Sequence, residues 1–327
     1  MQSAGTTISC KRQPLPNSTR WHLPFLTERF GVICDPARVS FLNALSPKLT
    51  STKIGNNPWE WIPKTFEDFL AELEFVATHC KELGHLVLYR GHRDRKWLLD
   101  STFVRSCKTN VFGIEAWQKL RFDKFRMSTN YQQILLNLFF FKFDFVARPS
   151  NQLFELEKKH GIDPWFEFVK RLQQYPEEDP THLKGTSIID WTQNYNVAIY
   201  FANESRDGEG ALWICDATAT GKTLQVIKVA KLLKKMEQSG RKNASLGVPL
   251  IFHPNKQLTQ KRATNQQPVY IAQMDLRVDL AEVWDHLQGH EQSESIFVKL
   301  ILPDGTYEPC SQYLAAKGIT REFLFPE

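Results

Sequence analysis

An α+β fold, with a helical block packed against a mostly antiparallel sheet, is what this sequence predicts. Three observations lead there. Between residues 66 and 175 apolar positions recur at helical spacing; after Gly210 they gather into short runs of strand character; and the two kinds of segment do not alternate along the chain. Helices first and strands afterwards argue against a doubly wound parallel sheet, in which the two interleave.

Residues 1–60 are rich in Pro, Ser, Thr and Asn with few periodic apolar positions, and read as an extended or partly disordered arm, pinned at most by Trp21, Phe25 and Phe30. The folded domain is therefore expected over 61–327. Thr65 with Asp68 three residues on is a helix-start signature. Phe66, Phe69, Leu70, Leu73, Val76, Cys80 and Leu83 then form one stripe, which Gly84 can close. Leu86–Tyr89 reads as a short buried strand. Trp117, Leu120, Phe125 and the run 131–147 continue the helical block. A helix opening at Ser150 is closed by Gly161, and another opens at Asp163-Pro164 and stops at Pro176. Residues 177–180 form a loop, and Asn194 or Asn196 is placed to cap a short helix carrying Ala198, Ile199, Phe201 and Ala202. Strands are expected at 211–215, 223–229, 249–252, 269–273 and 296–302, with a helix and loop over 230–245.

The balance of residues bounds the function. A hydrophobic share of 42% and mean hydropathy of −0.38 are ordinary for a globular protein. The net charge of +5, from 41 basic and 36 acidic residues, permits an anionic ligand or nucleic acid without demanding either. Six scattered cysteines with no C-x-x-C pair argue against a zinc ribbon and against a disulfide framework. The start of the chain lacks a charged segment followed by an apolar one. The longest apolar run, 134–147, is broken by Asn137, Lys142 and Asp144 and falls short of the roughly 20 residues a membrane span needs. A cytoplasmic protein with neither membrane nor metal partner is expected.

Several motifs fail on spacing. Gly221-Lys222-Thr223 ends like a phosphate-binding loop, but Asp216 stands where the leading glycine belongs. His286 and His290 are four apart with Gly289 between them and no accompanying glutamate, in a segment that reads as the start of a loop. No G-x-S-x-G elbow supports a serine triad.

Two stretches remain. Tyr89-Arg90-Gly91 ends the first strand on an arginine, costly to withdraw from water unless an anion or carboxylate meets it. The glycine beside it lets a backbone or ligand approach closely. The second stretch, Gly185 to Asn203, reads GTSIIDWTQNYNVAIYFAN. Arg90 and Asp190 are expected to lie close together, since Asp190 is the best carboxylate on offer.

Together the two stretches resemble the FRG domain family. There, a Y-R-G segment followed by W-x-L precedes, by about a hundred residues, a D-W-T segment ending in A-x-Y-F-A. Tyr89, Arg90, Gly91, Trp97 and Leu99 match the first. Thr186, Ile188, Ile189, Asp190, Trp191, Thr192, Ala198, Tyr200, Phe201 and Ala202 match the second. The resemblance runs from about Phe66 to the C-terminus. It departs where the family's P-T-R is Gly185-Thr186-Ser187 here.

More loosely, the pair resembles the first two elements of ADP-ribosyltransferases, which implies a fold of that kind and a cleft for a nucleotide-like ligand, NAD being the candidate substrate. On that resemblance Arg90, with Tyr89 and Gly91, holds phosphate or ribose, and Thr186 and Ser187 hold the ribose. Trp191, Tyr200 or Tyr270 offers a flat face to nicotinamide. A carboxylate stabilising the ribosyl cation would be Asp190, Glu291 or Glu294, and Gln266-Gln267 stands where the third element falls, without the charge. The resemblance implies NAD cleavage or ADP-ribosyl transfer. The alternative is a non-catalytic module binding nucleic acid or a protein partner.

Overall fold

In a computed structural model, residues 46–111, 129–147, 181–217, 249–252, 261–290 and 297–326 are described, together with the helical residues Phe166, Val169, Lys170, Leu172 and Gln173 and those at 231–232 and 234–236. They all fall within one compact unit, Val32–Glu327. The strand expected at 223–229, the helix at Ser150 with its stop at Gly161, and both Glu291 and Glu294 lie outside the described residues.

An eight-stranded sheet organises the fold, and its strands follow from the runs of Val, Ile, Leu and aromatic residues. They are β1 (Lys53–Ile54), β2 (Glu60–Ile62), β3 (Val87–His92), β4 (Ile188–Thr192), β5 (Gly210–Asp216), β6 (Leu250–Phe252), β7 (Pro268–Ala272) and β8 (Phe297–Leu302), in the spatial order β1-β2-β8-β5-β3-β4-β7-β6. Neighbours are antiparallel except β2 and β8. The α+β expectation holds.

Among the described residues the helices with full bounds are α1 (Phe66–Glu82), α2 (Thr102–Asn110), α3 (Thr129–Ala147), α4 (Tyr195–Asn203), α5 (Lys261–Gln266), α6 (Leu280–His290), α7 (Tyr307–Ala316) and α8 (Arg321–Leu324). Thr65 caps α1 by accepting from Asp68 N at 3.1 Å, and Gly84 follows its end at φ +68°. Of the two asparagines, Asn194 is the one that caps α4. Helix α6 runs through His286 and His290, where the sequence reads as a loop.

Folded structure begins before residue 61. Lys48 and Leu49 each donate a backbone N–H to Glu72, both at 2.8 Å. Strand β2 lies parallel to β8, with Trp59 packed on Trp213 and Phe297. Glu60 is buried and paired with Arg95 and Lys299; burial pushes its carboxyl up, but those two cations outweigh it and hold it below its usual range. Residues 46–60 therefore belong to the domain and not to an arm. Their apolar contacts are with strands far along the chain, which periodicity cannot register.

Side-chain alternation along the strands separates two faces. On one, Tyr89, Leu212, Ile214, Val298 and Leu300 pack beneath α1, α4 and α7, while Ile188, Leu250, Tyr270 and Ala272 pack beneath α2 and α3. On the other, Leu88, Ile189, Trp191, Trp213, Val269, Ile271 and Phe297 pack against α6. One face thus carries two separate helical caps. The gap between them lies over the junction of β3 and β4, which share one registered pair, Tyr89 with Thr192, whereas β3 pairs six times with β5 and β4 five times with β7. Beyond that pair, the two strands no longer register.

Candidate functional site

The gap is a cavity of about 490 Å³, within the range of small-molecule sites. Strand β3 supplies Tyr89, Arg90 and Gly91, and the turn after it supplies Arg93 and Trp97. Strand β4 supplies Asp190, Trp191 and Thr192; α4 supplies Val197, Ala198, Phe201 and Glu204; and α5 supplies Arg262, Ala263 and Gln266. Lys170, Gln173, Pro268 and Tyr270 complete it. Among these residues four are cations (Arg90, Arg93, Lys170, Arg262) and two are carboxylates (Asp190, Glu204).

Arg90 is half-buried where the two strands part. Its Nε donates to His92 Nε2 at 3.1 Å, and one terminal nitrogen donates to the backbone oxygen of Asp190 at 2.5 Å. The two motifs do meet, but the guanidinium takes the main-chain carbonyl and not the carboxylate. That carboxylate accepts instead from Gln173 Nε2 at 3.1 Å. The electrostatics agree with the geometry. Burial lowers Arg90 to about 10, against the pull of Asp190. Burial also raises Asp190, against the pull of Arg90, Arg262 and Lys170. A closed ion pair shifts its members the other way. Asp190 is open to the cavity but crowded by protein on its other sides, which is how it is both accessible and poorly solvated.

His92 holds Arg90 in place. The ring is kept neutral, burial lowering its pKa well below the usual value with Arg90, Arg105 and Lys299 adding to the effect, so one of its nitrogens can accept. Nε2 faces Arg90 Nε at 3.1 Å and Nδ1 faces Trp213 Nε1 at 3.3 Å, the shorter contact being the one to Arg90. The site therefore presents a cation that no carboxylate among the described residues grips.

Several sequence expectations need correcting. Gly91 borders the cavity, but a Cβ there would lie 1.9 Å from Ala198 O and 2.5 Å from Ala202 N. Its missing side chain seats α4 directly on β3, so the glycine serves packing and not ligand approach. Thr186 and Ser187 are buried and do not line the cavity: Thr186 Oγ1 accepts from Ile188 N at 3.3 Å and donates to the cavity residue Gln173 at 3.5 Å, and Ser187 Oγ donates to Met236 Sδ at 3.4 Å. Tyr200 stands on another face of α4, its hydroxyl donating to Glu204 at 3.2 Å, and Phe201 faces the cavity instead. Trp191 is only 2% exposed, with its ring packed on Trp284, and Tyr270 is packed on Phe166, so neither offers an open stacking face. Gln266 borders the cavity, but its amide donates to Leu324 O at 3.0 Å. Gln267 ends α5 with φ +45°.

Sequence reasoning missed Arg93, Trp97, Lys170, Gln173 and Arg262 as site residues. For Arg93 and Trp97 a signal existed, since both follow Arg90 within seven residues. Lys170 and Gln173, three apart on one helical stretch, and Arg262 on α5 are far from Arg90 in the chain, and no spacing joins them to it.

No family model, no curated protein and no solved structure matches the chain. Among the described residues, no group of three or more His, Cys, Asp or Glu is placed to hold a metal ion, and no helix is long and apolar enough to cross a membrane. The described cysteines are buried, and burial pushes the thiols of Cys80, Cys107 and Cys310 up to about 12, so none is a ready nucleophile.

Proposed function

We propose that the cleft binds a nucleotide-like anion through Arg90, with NAD as the candidate substrate and NAD cleavage or ADP-ribosyl transfer as the reaction, as the resemblance to the FRG domain and to ADP-ribosyltransferases implies. The observation that carries this reading is the guanidinium of Arg90, which among the described residues bonds to no carboxylate, in a cavity that also holds Arg93, Lys170 and Arg262. A phosphate restores to Arg90 the compensation that burial removed, and the planar guanidinium meets it with paired hydrogen bonds.

In the reaction the bond between ribose C1′ and the nicotinamide nitrogen breaks, its electron pair leaving with neutral nicotinamide. Water, or an acceptor hydroxyl, forms the new C1′–O bond and gives up its proton. Positive charge on the ribose grows as the first bond lengthens, and a carboxylate nearby stabilises it. Asp190, one of the two carboxylates lining the cavity, is the candidate for that role.

The test combines thermal-shift measurements with mass analysis. NAD and ADP-ribose should raise the melting temperature with little dependence on salt, and incubation with NAD should release nicotinamide. Stabilisation by short oligonucleotides alone, falling steeply with salt, would instead support a nucleic-acid-binding module. No response to any nucleotide would overturn the reading.

A further inference from the structure

We infer that Arg93 and Trp97, on the turn after β3, form a subsite for the base of the ligand, so that the molecule lies with its phosphate at Arg90 and its planar ring at the cavity rim. This rests on the nucleotide reading and deepens it by fixing the ligand's orientation.

Of the cavity's aromatic residues, Tyr89, Trp191 and Tyr270 are buried in the core and Phe201 is half-buried, its ring packed on Tyr200 and Phe325, while Trp97 is 41% exposed. A partly exposed indole in a cavity lined by four cations suits a flat, anionic ligand. Arg93 lies over it, Cζ 5.0 Å from the ring centroid, and the His92 ring meets it edge-on at 5.9 Å. His92 also holds Arg90, so the phosphate-binding and ring-binding groups are fixed by one side chain.

The turn itself is braced. Trp97 N donates to Asp94 O at 3.1 Å and Lys96 N to Asp94 Oδ1 at 2.8 Å. Arg95 is tied to Glu209 at 2.9 Å and to Glu60 at 3.3 Å, and its backbone N–H donates to Glu209 O at 2.9 Å. The platform is thus in place before a ligand arrives, which lowers the cost of ordering it on binding.

Stacking of a base on an aromatic side chain tolerates any base, because each has a π face. The subsite therefore takes a class, planar rings joined to a phosphate, and is not selective among the bases by itself.

The experiment compares two probes by calorimetry, ADP-ribose (phosphates and base) and ribose 5-phosphate (phosphate without base), on wild type, Trp97→Ala and Trp97→Phe. Trp97→Ala should bind ADP-ribose about tenfold more weakly, with Trp97→Phe recovering most of that, while ribose 5-phosphate binds all three alike. If Trp97→Ala binds ADP-ribose as wild type does, or loses both probes equally, the subsite is overturned and the phosphate site at Arg90 stands. If wild type binds neither probe, the nucleotide reading falls and the subsite with it.

Discussion

Arg277 and Arg90 are both drawn away from bulk water, and the fold answers them differently. Arg277, 1% exposed in the loop between β7 and α6, is gripped along one edge by Asp275: Nε and the backbone N–H both donate to Oδ1 at 3.0 Å, and a terminal nitrogen donates to Oδ2 at 2.6 Å. Arg90 has a histidine nitrogen and a main-chain carbonyl, and its nearest carboxylate is turned to Gln173. The first arrangement is complete within the core. The second leaves the guanidinium, among the described residues, without a carboxylate bonded to it at the edge of a cavity. The two arginines differ in what meets the guanidinium, a carboxylate for Arg277 and uncharged acceptors for Arg90.

Three substitutions test that contrast, in falling order of effect. Asp275→Ala removes the carboxylate that Arg277 grips, and should cost about 3–5 kcal/mol of stability without any ligand. A denaturation midpoint near wild type would show that the loop does not depend on the pair. Gly91→Ala comes next. The added methyl meets backbone atoms of α4, which cannot swing aside, so a loss of about 1–3 kcal/mol is expected in the unliganded protein. If only ligand binding suffered, the glycine would be clearing space for a ligand after all.

Asp190→Asn is the smallest and differs in sign. Burial leads the causes that raise the folded-state pKa of Asp190 above its unfolded value. The folded chain therefore holds that proton more tightly. The stability this contributes is present below the ordinary carboxylate range and is lost as pH rises through the raised value. At neutral pH the ionised group is a burden, and Asp190→Asn should raise the melting temperature slightly, with no change in acid. A loss at neutral pH would mean that Arg90 and Asp190 form a closed pair like that of Arg277.

Much of the scaffold was legible in the sequence because it is local. The cap at Thr65, the stripe of α1, and the apolar runs that became β5, β7 and β8 all declare themselves within a few residues. That the Y-R-G and D-W-T stretches would meet was legible too. Strand β2 was not, since its three residues owe their place to Trp59, Trp61 and Glu60 docking on distant partners. Nor was the buried loop after β7, whose backbone is satisfied by Gln132 on α3: Gln132 donates to Met274 O and accepts from Leu276 N. For the site, residue type singled out Arg90, which does border the cavity. The directions of Thr186, Ser187 and Tyr200, and the reason for Gly91, depend on packing against α4 and the helical caps, which spacing does not encode.

The central claim is that Arg90 waits for an anion, and Arg90→Lys tests it most directly. Melting temperatures of wild type and mutant are measured with and without ADP-ribose at a hundred times its dissociation constant for wild type. Without ligand the lysine should cost about 1 kcal/mol or less, since only two hydrogen bonds to uncharged acceptors are at stake. With ligand, wild type should gain about 2.7 kcal/mol and the mutant far less, because an ammonium cannot reproduce the paired contact. A mutant crippled without ligand, yet stabilised by it as fully as wild type, would contradict the account and make Arg90 a scaffold residue like Arg277.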